Sequence, residues 1–281
     1  MFRTLVDPAT LARHLDDPGW VVIDARHDLL QPSWGEEEYR EEHIPGARFL
    51  HLDRDLSAPK SGRNGRHPLP SPEAAAATFG AAGIDDAKQV VVYDQNQGAY
   101  AARCWWMLRW LGHEAVAVLD GGFDRWMRER RPITAEVPRV APAAFRIRTT
   151  LPVVGPDEVL ANLAGGAALV IDARSPERFR GEAEPFDPVA GRVPGAVNRP
   201  VARNLAKDGT FRPAAELRAE LSALLGGHDA SQAIHMCGSG VTACHTMLAM
   251  EIAGLPTGRL YAGSWSEWCA DPSRPVATGP G

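Results

Sequence analysis

Cys237 opens the run Cys237-Gly238-Ser239-Gly240-Val241-Thr242-Ala243, a thiol followed by small residues. Gly238 and Gly240 allow a tight turn in which successive N–H groups point at one centre. Gln232 to Met236 reads as a strand leading into this loop, and Val241 to Ala253 carries apolar residues at helical spacing after it. The start of that helix adds the positive end of its dipole. A sulfur held there is predicted to be a thiolate nucleophile, with surroundings that accept negative charge beyond the sulfur itself. Cys104 and Cys244 fall in helix-like apolar runs, where a small buried thiol is the simpler reading. Together with Cys269 they make four cysteines, with neither the pairing of a disulfide framework nor the ligand clusters of a zinc site.

The elements that must position this loop occur twice. Val21-Val22-Ile23-Asp24-Ala25-Arg26 returns as Leu169-Val170-Ile171-Asp172-Ala173-Arg174. His43-Ile44-Pro45-Gly46-Ala47 returns as Arg192-Val193-Pro194-Gly195-Ala196, and Asp120-Gly121-Gly122-Phe123 has a counterpart in Ala262-Gly263-Ser264-Trp265. Matches stand about half a chain apart, too far for a solenoid and suited to a duplicated domain. In each half strands alternate with helices, which predicts an α/β fold with a mostly parallel sheet flanked by helices. Ligands in such sheets bind beyond the carboxyl ends of the strands, where Cys237 falls. The expected division is a first domain over 1–135, a linker over 136–150 and a second domain over 151–281. Pro132, Pro138 and Pro142 are expected to hold the connector, which begins at about Met127, extended.

The Cys237–Ala243 heptapeptide resembles the active-site loop of the 3-mercaptopyruvate sulfurtransferases, a branch of the rhodanese family, and the resemblance covers essentially the whole chain. It implies tandem rhodanese-like domains, of which the second carries the nucleophile. Aligning the halves places Gln95, in Asp94-Gln95-Asn96-Gln97-Gly98, opposite Cys237, so the first domain is expected to be catalytically inactive. The chemistry implied is double displacement: Cys237 accepts a sulfur as a persulfide, held by the amides from Gly238 through Gly240, Val241 and Thr242 to Ala243, and then passes it on. No metal and no organic cofactor is needed.

The resemblance also implies a proton path from Ser239 to a histidine and an aspartate of the first domain. The matching positions are His67, in Gly65-Arg66-His67-Pro68, and Asp53, with His51 as a nearby rival. A donor carboxylate calls for an arginine, and Arg178 in Glu177-Arg178-Phe179-Arg180-Gly181 matches the first substrate arginine of the family. A second arginine is expected after Glu184-Pro185, yet Phe186-Asp187 follows; Arg180 or Arg192 would have to move in. Thiosulfate-preferring relatives carry basic residues in the loop itself, where Gly238 and Ser239 stand here. The donor expected is therefore 3-mercaptopyruvate, with thiosulfate as the alternative. Cyanide, a small thiol or a thioredoxin-like protein is the expected acceptor.

Composition is compatible with this. The chain has 281 residues, 44% hydrophobic and 23% charged, with a net charge of −5 and no Lys/Arg-rich run, which argues against nucleic acid as partner. Apolar stretches are strand-length, so no membrane span is expected. The opening Met-Phe-Arg-Thr-Leu-Val-Asp-Pro lacks the layout of a secretion signal, which points to the cytoplasm. Trp105, Trp106 and Trp110 lie at helical spacing and read as core, as do Trp265 and Trp268. A cysteine phosphatase would need an arginine six residues after the thiol; Ala243 stands there. A non-catalytic persulfide relay would need the same loop, and turnover with a small donor and acceptor separates it from an enzyme.

Overall fold

The computed structural model describes residues 1–95, 97–148 and 151–280. The chain forms two compact units that are not contiguous in sequence: 1–58, 70–151 and 207–210 make the first, and 59–69, 152–206 and 211–281 the second. Each contains a five-stranded sheet, and every strand pairing within it is parallel.

In the first unit the strands are β1 (Leu5–Val6), β2 (Trp20–Asp24), β3 (Arg48–Phe49), β4 (Gln89–Tyr93) and β5 (Val116–Leu119), in the order β1-β5-β4-β2-β3. Helices α1 (Pro8–Ala12), α2 (Trp34–Glu41), α3 (Pro72–Ala81), α4 (Ala101–Trp110) and α5 (Gly122–Arg128) connect them. The second unit repeats the order as β6-β10-β9-β7-β8, with β6 (Val153–Val154), β7 (Val170–Asp172), β8 (Val197–Asn198), β9 (Ile234–Met236) and β10 (Arg259–Tyr261). Its helices are α6 (Pro156–Gly165), α7 (Pro176–Arg180), α8 (Ala214–Leu225), α9 (Ala243–Ile252) and α10 (Ser264–Trp268).

The repeated sequence anchors have a physical cause. Asp24 and Asp172 end the interior strands β2 and β7 fully buried, and each is gripped by the arginine two residues on: Arg26 Nε donates to Asp24 Oδ2 at 2.9 Å, and Arg174 Nε to Asp172 Oδ2 at 3.0 Å. Each guanidinium also lies over the aromatic ring that opens the last helix, 4.3 Å from Phe123 and 4.7 Å from Trp265. Breaking such a buried pair by removing one partner costs about 3–5 kcal/mol, so neither half can drop its copy cheaply. The Pro-Gly-Ala turns match as well, with Gly46 and Gly195 at φ +76° and +75°.

Strand β9 is buried throughout, as expected of a central parallel strand covered on both faces. Helix α9 is buried from Ala243 to Met250, all round rather than on one stripe. Trp105, Trp106, Trp265 and Trp268 are all fully buried core residues. Two expected boundaries shift. Gln232 belongs to a 3-10 turn (Ala230–Gln232) capped by Asp229, so the strand starts at Ile234; and α5 continues to Arg128, past the expected start of the connector. Beyond it the described residues to Arg148 form no helix or strand and are tied to the first unit: Thr134 pairs with His43 in an antiparallel bridge, and Ala143 N donates to Gly80 O at 2.8 Å. Thr149 and Thr150, at the end of the expected linker, lie outside the described residues.

Candidate active site

Cys237 follows β9 directly, on the strand where the order of the sheet reverses, and is 2% exposed. Its backbone is fixed from the β10–α10 turn. Cys237 N donates to Ser264 Oγ at 3.0 Å, Trp265 N donates to Cys237 O at 3.0 Å, and Ser266 N donates to Gly238 O at 2.9 Å. Ser264 stands at φ +52°, a conformation unusual for a residue with a side chain. Its hydroxyl, donating to Tyr261 O at 2.8 Å while accepting from Cys237, holds it there. Gly240 has φ +77°, and a Cβ on it would come within 2.1 Å of Ala262 O; only glycine closes the loop against the turn.

The corresponding loop of the first unit shows what such amides hold. Asp24 pairs with Tyr93 in the β2–β4 ladder, and Asp172 pairs with Met236 in the β7–β9 ladder. The residue opposite Cys237 is therefore Asp94, and the alignment of Gln95 with Cys237 is corrected by one. Phe123 N donates to Asp94 O at 2.8 Å just as Trp265 N does to Cys237 O. The Asp94 carboxylate accepts N–H bonds from Gly98, Tyr100 and Ala101 at 2.7–2.8 Å. An anion leaving the chain at the cysteine position is thus gripped by main-chain amides at the start of the following helix. The offset arose because the first loop spans one residue more before its helix begins. Gln95 itself donates from Nε2 to His27 O at 2.8 Å, and Asn96 lies outside the described residues.

His67 belongs to the second unit, within the segment 59–69, and its Nδ1 is hydrogen-bonded to Ser239 Oγ at 2.7 Å. Both side chains are buried. The rival His51 is occupied otherwise: its Nδ1 accepts from Asp53 N at 3.0 Å, which leaves Nε2 to donate to Pro32 O at 2.9 Å. Asp53 lies in the first unit on the turn after β3.

Arg178 projects from α7, and its guanidinium is held by Glu184: Nη2 donates to Oε1 at 2.7 Å and Nε to Oε2 at 3.2 Å. Neither arginine offered as a replacement for the missing second one moves in. Arg180 pairs with Glu182 at 2.7 Å, and Arg192 donates to the carbonyls of Gly279 and Pro280 near the C-terminus. Sequence reasoning missed a different residue, Arg66. Its Nη2 lies 2.8 Å from where a Cβ on Gly238 would stand, and both Nη atoms of Arg178 lie 3.2 Å from that point. Two guanidinium groups thus meet the loop at the residue next to Cys237. The usable signal was adjacency, since Arg66 precedes His67.

The remaining thiols are ill suited to nucleophilic work. Burial pushes the Cys104 thiol far up, and Cys269 is pushed up to about 11, by burial first and then by the nearby Asp187 charge. Cys244 is fully buried, with its Sγ–H donating to Gly240 O at 3.4 Å.

The Rhodanese-like domain family model matches twice, over residues 7–129 and 155–271. A probable 3-mercaptopyruvate sulfurtransferase of Pseudomonas aeruginosa is 46% identical over 278 residues, covering 98% of both chains. A thiosulfate sulfurtransferase of Cricetulus griseus is 37% identical, covering 95% of this chain and 92% of its own. The crystal structure of SseA from Escherichia coli, a 3-mercaptopyruvate sulfotransferase, superimposes with a TM-score of 0.79 at 32% identity, covering 94% of this chain and 99% of its own. The chain belongs to the rhodanese family, in its tandem two-domain form. The activity these relatives support is that of a sulfurtransferase.

Proposed function

We propose that the enzyme takes sulfur from 3-mercaptopyruvate and holds it as a persulfide on Cys237. The single observation that favours this donor is the 2.7 Å bond between His67 Nδ1 and Ser239 Oγ, two residues along the loop from the thiol. The Cys237 thiolate attacks the donor's sulfur; an S–S bond forms, and the C–S bond breaks with its electron pair passing to carbon as an enolate. The donor's thiol proton, taken up by the imidazole, returns through the Ser239 hydroxyl to the enolate carbon and gives pyruvate. Asp53 is the proposed orienting carboxylate for His67. The resulting persulfide anion rests on the amides of Gly238, Gly240, Val241 and Thr242, a role supported by what the equivalent amides do for Asp94.

An acceptor then attacks the terminal sulfur and releases the thiolate: cyanide leaves as thiocyanate, and a small thiol or a thioredoxin-like protein leaves as its persulfide. The first unit, with a carboxylate where the second has its thiol, supplies no nucleophile of its own. Four cysteines that are all free thiols support a cytoplasmic setting for this cycle, and among the described residues no helix is long and apolar enough to cross a membrane. The test compares kcat/KM for mercaptopyruvate and for thiosulfate with cyanide as common acceptor. Mercaptopyruvate is expected to be preferred by at least about tenfold; equal or inverted efficiencies would assign the donor to thiosulfate.

A further inference from the structure

The position after Glu184-Pro185 holds Phe186-Asp187 where a second substrate arginine is expected, and these two residues are the ones that hold Arg66. Asp187 Oδ1 is ion-paired with Arg66 Nη1, while Asp187 Oδ2 accepts from Arg178 Nη2 at 3.4 Å. The Phe186 ring lies beneath both cations, 5.4 Å from the Arg66 guanidinium and 5.1 Å from that of Arg178. The Asp187 side chain is 3% exposed, so it bridges the two arginines with little competition from water. The backbone of Arg66 is fixed as well. Its N–H donates at 3.0 Å to Ser266 Oγ, and the N–H of the same Ser266 holds Gly238 O.

We propose that Arg66 is the second donor-binding arginine of this enzyme: with Arg178 it clamps the carboxylate of the donor in front of Gly238. The geometry divides each guanidinium between two tasks. Arg66 commits Nη1 to Asp187 and turns Nη2 to the loop; Arg178 commits Nε and Nη2 to Glu184 and brings Nη1 to the same place. Two donors from two planar groups suit the two oxygens of one carboxylate. Glycine at 238 leaves this space open to both guanidinium groups, since a Cβ there would stand 2.8 Å from Arg66 Nη2 and displace it. An arginine lost after Glu184-Pro185 is thereby replaced from a remote segment, and Phe186 and Asp187 are the seat of the replacement.

The inference rests on mercaptopyruvate as donor, so its test includes a probe that needs no turnover. Pyruvate carries the same carboxylate, and its dissociation constant is measured by titration calorimetry on the full-length wild type, Arg66→Ala, Arg66→Lys and Arg178→Ala. Arg66→Ala is expected to weaken pyruvate about 10- to 100-fold, the loss of one charge-assisted hydrogen bond. The KM for mercaptopyruvate should rise by a similar factor, with kcat within about threefold. Arg178→Ala sets the benchmark, and Arg66→Lys recovers part of the loss, which a merely structural defect would not. Should Arg66→Ala bind pyruvate within twofold of wild type, or raise the KM for thiosulfate as much as that for mercaptopyruvate, the carboxylate clamp is wrong. A wild type that binds pyruvate through Arg66 but does not turn over mercaptopyruvate would sink the donor assignment and leave the clamp standing.

Discussion

His67 Nδ1 and Ser239 Oγ are 172 residues apart in the chain and 2.7 Å apart in space, both buried within the second unit. The imidazole therefore addresses the sulfur-binding loop through a hydroxyl rather than through the thiol itself. In the proposed mechanism it serves a donor whose cleavage leaves a carbanion to protonate.

Replacing His67 by Gln or Ser239 by Ala should then lower kcat with mercaptopyruvate about a hundredfold or more, the usual worth of a positioned proton donor. With thiosulfate, which leaves sulfite and needs no proton on carbon, the loss should stay within a few fold. Steady-state kinetics with the two donors checks this; equal losses would give the pair a structural role only.

Asp94 gives the first unit a prediction of its own. Its carboxylate accepts three main-chain N–H bonds, and removing it leaves those donors unsatisfied in a buried loop. Asp94→Ala should destabilise the protein by about 2–5 kcal/mol. Urea unfolding measures the change, and a shift below about 0.5 kcal/mol would mean that the amides find other partners.

His235 sets a pH dependence. It lies in β9 two residues before Cys237, and complete burial lowers its pKa from 6.5 to about 4. As pH falls below 6.5 the unfolded chain takes up a proton that the native state refuses, so this contribution to stability is intact above pH 6.5. It is lost between pH 6.5 and 4 at up to about 1.4 kcal/mol per pH unit. Urea midpoints measured across that window should fall less steeply in His235→Leu than in wild type; parallel slopes would show that His235 protonates in place.

Some of this was legible in the sequence and some was not, for identifiable reasons. The duplication showed because each half must rebuild a buried Asp–Arg pair from residues adjacent in the chain, Asp24 with Arg26 and Asp172 with Arg174. The Cys237 loop showed because its thiol and its glycines lie within one heptapeptide, with Gly240 at positive φ and too close to Ala262 O for any side chain. Asp94 was missed because ladder register, which spacing alone does not reveal, decides which residue stands opposite Cys237. Arg66 was missed because its seat is made by Asp187, Phe186 and Ser266, all from distant segments; Ser266 alone lies 200 residues away. Its grouping with the second unit, together with His67, likewise comes from packing rather than chain order.

The most direct test of the whole account is the intact mass of the protein after treatment with mercaptopyruvate and removal of excess donor. One transferred sulfur should add about 32 Da to the wild type, the added mass should vanish on exposure to cyanide, and Cys237→Ser should gain nothing. An unshifted wild type, or a Cys237→Ser protein that still gains the sulfur on Cys104, Cys244 or Cys269, would contradict it.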